Sequence, residues 1–216
     1  MNKTQLKNKV IEILKYLKQT YPKAKVHLWF TTPFELLVST VLAAQCTDER
    51  VNSVMVPLYK TKYKEPKDIV KDGLENFRSN IKSITFPNNK AKAILKMCQQ
   101  LEENFGGKVP ETMEELTKLE GVGRKSASVI LGNCFHKKDV IIVDTHLKRV
   151  AERLGLIKNS DPDKIEQELK TLVPENEQFT FSLLIGEHGR QVCKARKPLC
   201  KNCILFELCP FPEKTM

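Results

Sequence analysis

The chain has 216 residues, which is enough for one or two domains with a buried core. Its 36 Lys and Arg residues outnumber its 26 Asp and Glu residues, and the resulting net charge of +10 favours a polyanionic partner, either nucleic acid or an anionic membrane surface. No apolar run approaches the roughly 20 residues that a spanning helix needs, and no N-terminal signal or lipidation pattern is visible, so a transmembrane or secreted protein is not expected.

Helical periodicity dominates the first half of the chain. Apolar residues recur every three or four positions from Leu6 to Tyr21, and Pro22 marks the end of that helix. Thr32, Pro33 and Glu35 form a capping box with proline at the first helical position. The predicted helices of this half cover about residues 6–21, 33–44, 48–59, 66–71, 74–81 and 88–105.

The second half is also predicted to be helical. A second capping box at residues 112–115 opens a short helix through residue 119. Residues 140–143 are the only stretch that looks extended, and they are too few to build a sheet. Asp144 is expected to cap a helix that ends at about residue 155, and Asp161 a helix that ends before Pro174. A last helix is predicted over about residues 177–192. Many helices with short connections predict an all-α protein.

A Gly-Val-Gly turn separates two of the predicted helices. Gly121 and Gly123 permit a tight reversal, and the backbone amides that follow point outward at a helix N-terminus, which is a ready site for an anion such as a DNA phosphate. A lone Gly-x-Gly turn is more often an ordinary helical hairpin. Here Arg124 and Lys125 stand at its edge, so the sequence favours a phosphate-binding hairpin.

Two residues near this turn are candidates for chemistry. Lys125 lies in the first turn of the helix after the glycines, next to the positive end of that helix and to Arg124. Both positive charges disfavour the ammonium form of Lys125, which suits a nucleophilic amine. Asp144 begins a helix in the sequence Val-Asp-Thr-His at residues 143–146. It is expected to cap that helix, and a cap carboxylate at the mouth of a cleft can also transfer protons.

Four cysteines lie close together near the end of the chain, spaced C-x6-C-x2-C-x5-C: Cys193, Cys200, Cys203 and Cys209. Thiolates at this spacing select zinc or an iron–sulfur cluster. Two disulfides are an alternative, as is a zinc ribbon, although a ribbon usually pairs two C-x2-C knuckles and only one is present. Cys46, Cys98 and Cys134 are expected to be small buried residues.

Basic residues surround the cysteines. Lys194, Arg196 and Lys197 lie between the first two cysteines, and Lys201 lies between the second and third. A basic loop that is held by a metal centre, on a protein of positive net charge, suggests a surface that binds nucleic acid.

Several of these motifs together resemble the endonuclease III family of DNA glycosylase/AP lyases. The resemblance is carried by LEGVGRK at 119–125, VDTH at 143–146, the four-cysteine tail, PFELL at 33–37, LAAQCTD at 42–48 and NKA at 89–91. These motifs occur in the family's order and at about its spacing, and the resemblance covers nearly the whole chain, from about residue 34 to residue 209.

The resemblance implies two helical domains with a DNA cleft between them. A six-helix barrel at residues 26–139 would contain the helix–hairpin–helix at about 112–134. Residues 1–25 and 140–216 would form a second domain that holds a [4Fe–4S] cluster on the four cysteines. The implied partner is duplex DNA that contains damaged pyrimidines or abasic sites, and we expect a cytoplasmic monomer, associated with the nucleoid if the source is prokaryotic.

The resemblance also implies roles for individual residues. Lys125 would attack C1′ of an extruded damaged nucleotide, and Asp144 would assist the attack or the proton transfers. Gln45 would fill the gap left in the duplex. The remaining expected DNA contacts are Gly121, Val122, Gly123, Arg124, His146, Lys194, Arg196 and Lys197.

One loop departs from the family's pattern. Thr85-Phe86-Pro87 stands where the family commonly has a glycine, an aliphatic wedge and a tyrosine, and Phe86 is expected to wedge into DNA in their place.

Residues 39–42 lack the carboxylate of the adenine-mismatch branch, and Lys125 argues for combined glycosylase and lyase activity. One alternative is a non-catalytic DNA-binding module, which would not need Lys125 together with Asp144. Another is a redox protein, against which the basic loop and the absence of a flavin or nucleotide fingerprint count.

Overall fold

The computed structural model describes residues 1–215, and all of its regular secondary structure is helical, so the predicted all-α class is confirmed. No strand occurs within this part of the chain, and residues 140–143 lie outside any helix. The helices are α1 (Lys3–Thr20), α2 (Pro33–Leu42), α3 (Asp48–Thr61), α4 (Pro66–Asn80), α5 (Pro87–Phe105), α6 (Met113–Leu116), α7 (Arg124–Cys134), α8 (Thr145–Arg153), α9 (Pro162–Leu172) and α10 (Gln178–Gln191).

The chain divides into two compact units. One unit is Val26–His136, and the other combines Met1–Lys25 with the chain from Lys137 onward. The second boundary therefore falls between residues 136 and 137, where the sequence placed it between 139 and 140.

The unit at residues 26–136 contains six helices, α2 to α7, with α2 at its centre. Every residue of α2 from Phe34 to Leu42 is buried, and the helix packs against α3, α5 and α7. The capping box at its start forms as predicted, because the Glu35 amide donates to Thr32 Oγ1 at 3.2 Å and the Glu35 carboxylate accepts from the Thr32 amide. This buried helix supplies the rigid support for the loops at its end.

Two elements of this unit show how single residues set helix boundaries. The two short helices predicted over residues 66–81 occur as α4, which breaks at Gly73, where φ is +79°. Helix α5 begins at Pro87, slightly before the predicted start, because proline fits the first helical position. Phe86 is the residue that caps it, with a left-handed backbone at φ 53°.

The other unit contains α1, α8, α9 and α10 around its own core. Helix α10 packs against α8 and α1, and α1 also contacts α9. Val10, Ile13 and Leu17 of α1 are fully buried together with Phe181 of α10 and Leu205 of the cysteine loop. This core carries the cysteine loop on α8 and α10. Within residues 1–215, no helix is both long enough and apolar enough to cross a membrane.

Candidate nucleic-acid interface and cysteine loop

The helix–hairpin–helix consists of α6, a turn and α7. Thr112 caps α6 through a 3.2 Å hydrogen bond from the Glu115 amide. The helix ends at Leu116 and not at residue 119 as predicted. The reason is that the amides of Lys118 and Leu119 bond carbonyls three residues back, which tightens the chain before the turn and buries Leu119.

The two glycines of the turn have different backbone conformations. Gly121 has φ +76°, and a Cβ there would lie 3.4 Å from Val41 Cγ1 and 3.5 Å from Ala93 Cβ. Gly123 has φ −92°, which any residue adopts, and no atom lies within 4 Å of the position of its missing Cβ. The predicted need for glycine in the backbone therefore holds at Gly121 and is wrong at Gly123. Because Gly123 has no side chain and this space is open, another molecule can approach the backbone closely at this position.

Lys125 lies on the exposed side of this hairpin. It is the second residue of α7, and no side chain caps the N-terminus of that helix. Behind it, Ala127 and Ser128 are buried, and α7 packs against α2 and α6. The hairpin thus presents an exposed amine from a fixed helix, beside backbone amides at the positive end of a helix dipole.

The candidate duplex-inserting residues Gln45 and Phe86 lie on two loops of the same unit that are joined by a hydrogen bond. Thr85 Oγ1 donates to the Gln45 carbonyl at 2.9 Å. Both side chains are exposed, and Phe86 retains 59% of its accessible surface. Each residue has φ 53°, a left-handed backbone that non-glycine residues rarely adopt. Such backbones persist only where their surroundings hold them, and they concentrate at functional loops.

Asp144 caps α8 as predicted. Its Oδ1 accepts a 2.7 Å hydrogen bond from the Leu147 amide, and the residue is half-buried. His146 Nδ1 lies 3.3 Å from Arg149 Nη2. Burial lowers the pKa of His146, Arg190 and Arg149 lower it further, and Asp144 opposes them. The lowered pKa favours the neutral form of the His146 imidazole.

All seven cysteines are free thiols, so the disulfide alternative does not apply to the four at the end of the chain. These four line one largely apolar cavity together with side chains of α8 and α10. Within residues 1–215, no three His, Cys, Asp or Glu side chains lie near enough to one another to hold one metal ion. Four soft thiols around one apolar cavity are nevertheless the donor set that iron–sulfur clusters use. Of the other cysteines, Cys98 is buried as predicted, whereas Cys46 and Cys134 are only half-buried.

Two arginines of α8 hold the start of the cysteine loop, and the sequence reasoning missed both. Arg149 Nε donates to the Cys193 carbonyl at 3.0 Å. Arg153 donates to the Lys194 carbonyl at 2.8 Å and to the Ala195 carbonyl at 3.1 Å. Their spacing of four residues puts them on one face of α8, which is the only signal the sequence contains. The loop is thereby fixed with Lys194, Arg196 and Lys197 exposed.

Comparison with known proteins agrees with this arrangement. Residues 38–175 match the model of the HhH-GPD superfamily of base excision DNA repair proteins. The endonuclease III of Synechocystis is 46% identical over 204 residues, which are 94% of this chain and 93% of that protein. The endonuclease III of Escherichia coli K12 is 38% identical over 96% of this chain and 98% of its own length.

Among solved structures, an endonuclease III bound non-covalently to DNA superposes with a TM-score of 0.89 and 37% identity, covering 97% of this chain and 96% of the other. A trapped covalent complex of endonuclease III with DNA has the same TM-score, identity and coverage.

Proposed function

Because the chain belongs to the HhH-GPD superfamily of base excision DNA repair proteins, we propose that it is a bifunctional DNA glycosylase and AP lyase. Its substrate is duplex DNA that carries oxidised pyrimidines or abasic sites. The observation that carries this proposal is the exposed Lys125 in the first turn of α7, beside the uncapped helix N-terminus of the hairpin. We infer that this amine is the nucleophile, and the similarity of the chain to an endonuclease III trapped covalently on DNA supports that inference.

The reaction begins when the Lys125 amine attacks C1′ of the damaged nucleotide. The C1′–N bond breaks, the base leaves with its electron pair, and the sugar opens as an imine on Lys125. Loss of a proton from C2′ then expels the 3′ phosphate, which cuts the strand 3′ to the abasic site. Water hydrolyses the imine and restores the amine. Asp144 accepts or returns protons in these steps, since its carboxylate remains half-accessible while it caps α8.

The target nucleotide must leave the base stack before Lys125 can reach C1′, and extrusion costs a few kcal/mol. Phe86 is exposed enough to enter a base step, and Gln45 can hydrogen-bond in the space that the extruded base leaves. The turn from Gly121 to Arg124 binds phosphate without reading sequence. The Val122 amide takes no part in this, because it donates to the Leu119 carbonyl at 3.1 Å. His146, Lys194, Arg196 and Lys197 contribute further DNA contacts from the other unit.

A [4Fe–4S] cluster would be held by the four cysteines at the end of the chain, Cys193, Cys200, Cys203 and Cys209. It would fix the conformation of the basic loop and would take no part in the chemistry. Their common cavity and free thiols fit that group. We place the protein in the cytoplasm, where thiols stay reduced, acting as a monomer on single lesions.

The test of this function is borohydride trapping on a duplex that contains one thymine glycol. Borohydride reduces the imine, so a covalent protein–DNA adduct together with free base establishes both activities. Free base without an adduct would mean a monofunctional glycosylase. Binding without either product, on thymine glycol and on a plain abasic site, would leave only a DNA-binding module and would overturn the proposal.

The cysteine loop gives a prediction about the cluster. The purified protein should be brown with broad absorbance in the blue, and Cys203→Ala should abolish the colour and destabilise the unit built on α8 and α10. Cys134→Ala removes a half-buried thiol from the other unit and should leave the colour intact. Iron and zinc analysis accompanies the spectra, and a colourless parent protein with one zinc would contradict the cluster.

The two turn glycines predict opposite effects of the same substitution. Gly123→Ala should leave stability unchanged, since its φ is ordinary and its Cβ has open space, but should weaken duplex binding by roughly tenfold, because the methyl group blocks close approach of a phosphate. Gly121→Ala should cost about 1 kcal/mol of stability, because φ is +76°. Thermal unfolding and binding anisotropy at one fixed salt concentration measure both. Unchanged binding by Gly123→Ala would remove the turn from the DNA contacts.

A further inference from the structure

Lys90 is a buried lysine that the proposed reaction does not use. It lies in the first turns of α5 and keeps only 7% of its accessible surface. Burial lowers its pKa, because the ammonium ion loses its hydration. A buried ammonium requires three acceptors to replace water, and where those acceptors lie shows what the residue holds together.

All three acceptors are present, and they belong to two separate loops. Lys90 Nζ donates to the Leu42 carbonyl at 2.8 Å and to the Ala44 carbonyl at 2.7 Å, at the end of α2 and immediately before Gln45. It also donates to Thr85 Oγ1 at 3.0 Å, immediately before Phe86. The backbone amide of Lys90 donates to the Phe86 carbonyl at 3.2 Å.

The two loops are also joined directly. Thr85 Oγ1, while accepting from Lys90, donates to the Gln45 carbonyl at 2.9 Å. This chain of hydrogen bonds ties the backbones next to Gln45 and Phe86 to one ammonium group. Both of those residues have the left-handed φ of 53°, and a strained backbone is retained only where its neighbours fix it.

We infer that Lys90, with Thr85 as its relay, is a positioning residue for base extrusion, which presents Gln45 and Phe86 to the duplex as one rigid pair. The inference rests on the proposed function, because it concerns how that enzyme opens its substrate. Lys90 does not touch the reacting sugar. Its loss leaves the Thr85–Gln45 hydrogen bond as the remaining side-chain link between the two loops. The loops are then held less rigidly, so that Phe86 and Gln45 no longer enter the duplex together.

This role predicts a split between the two activities. Removal of a paired thymine glycol requires the base to be extruded, whereas a preformed abasic site has no base to unstack. Lys90→Met keeps the aliphatic stem but removes the donors. It should slow single-turnover base removal by roughly 10- to 100-fold, while strand cleavage at a preformed abasic site falls by less than about threefold. The fluorescence of a 2-aminopurine beside the lesion rises when the base is extruded. In Lys90→Met this rise should be smaller than in the parent protein, in parallel with the slower base removal.

A matched control separates positioning from stability. Lys9 is equally buried, at 7%, and donates to the Leu154 carbonyl at 2.6 Å in the other unit. Lys9→Met should lower the melting temperature without changing the ratio of base removal to abasic-site cleavage. Thr85→Val should reproduce the split in weaker form, and Thr85→Ser should restore the parent ratio, which keeps the test available if Lys90→Met fails to fold.

The possible failures are distinguishable. A parent protein that neither releases base nor cleaves abasic DNA would overturn the proposed function itself. An active parent, with Lys90→Met or Thr85→Val losing both activities in equal proportion or matching Lys9→Met, would leave the function standing and overturn the positioning role.

Discussion

Replacing Lys125 with alanine is expected to abolish borohydride trapping and to slow base removal by roughly 10⁴-fold or more, since its amine is the group proposed to form the imine. Stability should be unchanged or slightly higher. Lys125 is exposed at the positive end of the α7 dipole, where removing a positive charge is favourable by a few tenths of a kcal/mol. The activity loss therefore cannot come from unfolding, and thermal melting of both proteins checks this directly.

Charge needs its own control, because Lys125 also attracts DNA. Lys125→Arg keeps the positive charge without a nucleophilic amine, so it should bind duplex DNA like the parent and still form no adduct. Lys71→Ala removes an exposed lysine from α4 and should trap normally. An adduct formed by Lys125→Ala would assign the imine to another amine and would contradict the proposed mechanism.

Local chemistry made much of this fold predictable. Thr32, Thr112, Asp144 and Asp161 were each expected to begin a helix, and each accepts the predicted hydrogen bond from an amide three residues later. A cap involves only residues within one turn, so the sequence contains all of its determinants. The break at Gly73 between the two predicted short helices follows from the same kind of short-range rule.

Contacts between distant residues could not be predicted in this way. Lys90 bonds carbonyls 46 and 48 positions earlier in the chain, and Arg149 bonds a carbonyl 44 positions later. A backbone carbonyl has no side-chain signature, so nothing in the sequence marks it as the partner of a charge. The Lys90 contacts accompany left-handed backbones at Gln45 and Phe86. Neither residue type predicts that conformation, so it could not be read from the sequence.

Asp144 was predicted to have two functions, and two substitutions separate them. Asparagine retains an oxygen that can accept from the Leu147 amide, so Asp144→Asn should preserve α8 while removing the proton-transferring carboxylate. Base removal should then fall by roughly 10²- to 10³-fold with the melting temperature nearly unchanged. Asp144→Ala loses the cap as well and should cost about 1 kcal/mol of stability, or roughly 2–4 °C, in addition to the same loss of activity.

Asp161 provides the matched cap in the same unit. It begins α9 and accepts from the Lys164 amide at 3.1 Å, with no expected contact to DNA. Asp161→Ala should lower the melting temperature about as much as Asp144→Ala and leave single-turnover rates at the parent value. If Asp144→Asn retains the parent rate, the carboxylate is only a helix cap. If it melts as early as Asp144→Ala, its lost activity reflects a displaced α8 and not a missing proton acceptor. A slow Asp144→Asn that melts like the parent, beside a fast Asp161→Ala that melts early, is the only combination that assigns Asp144 to the chemistry.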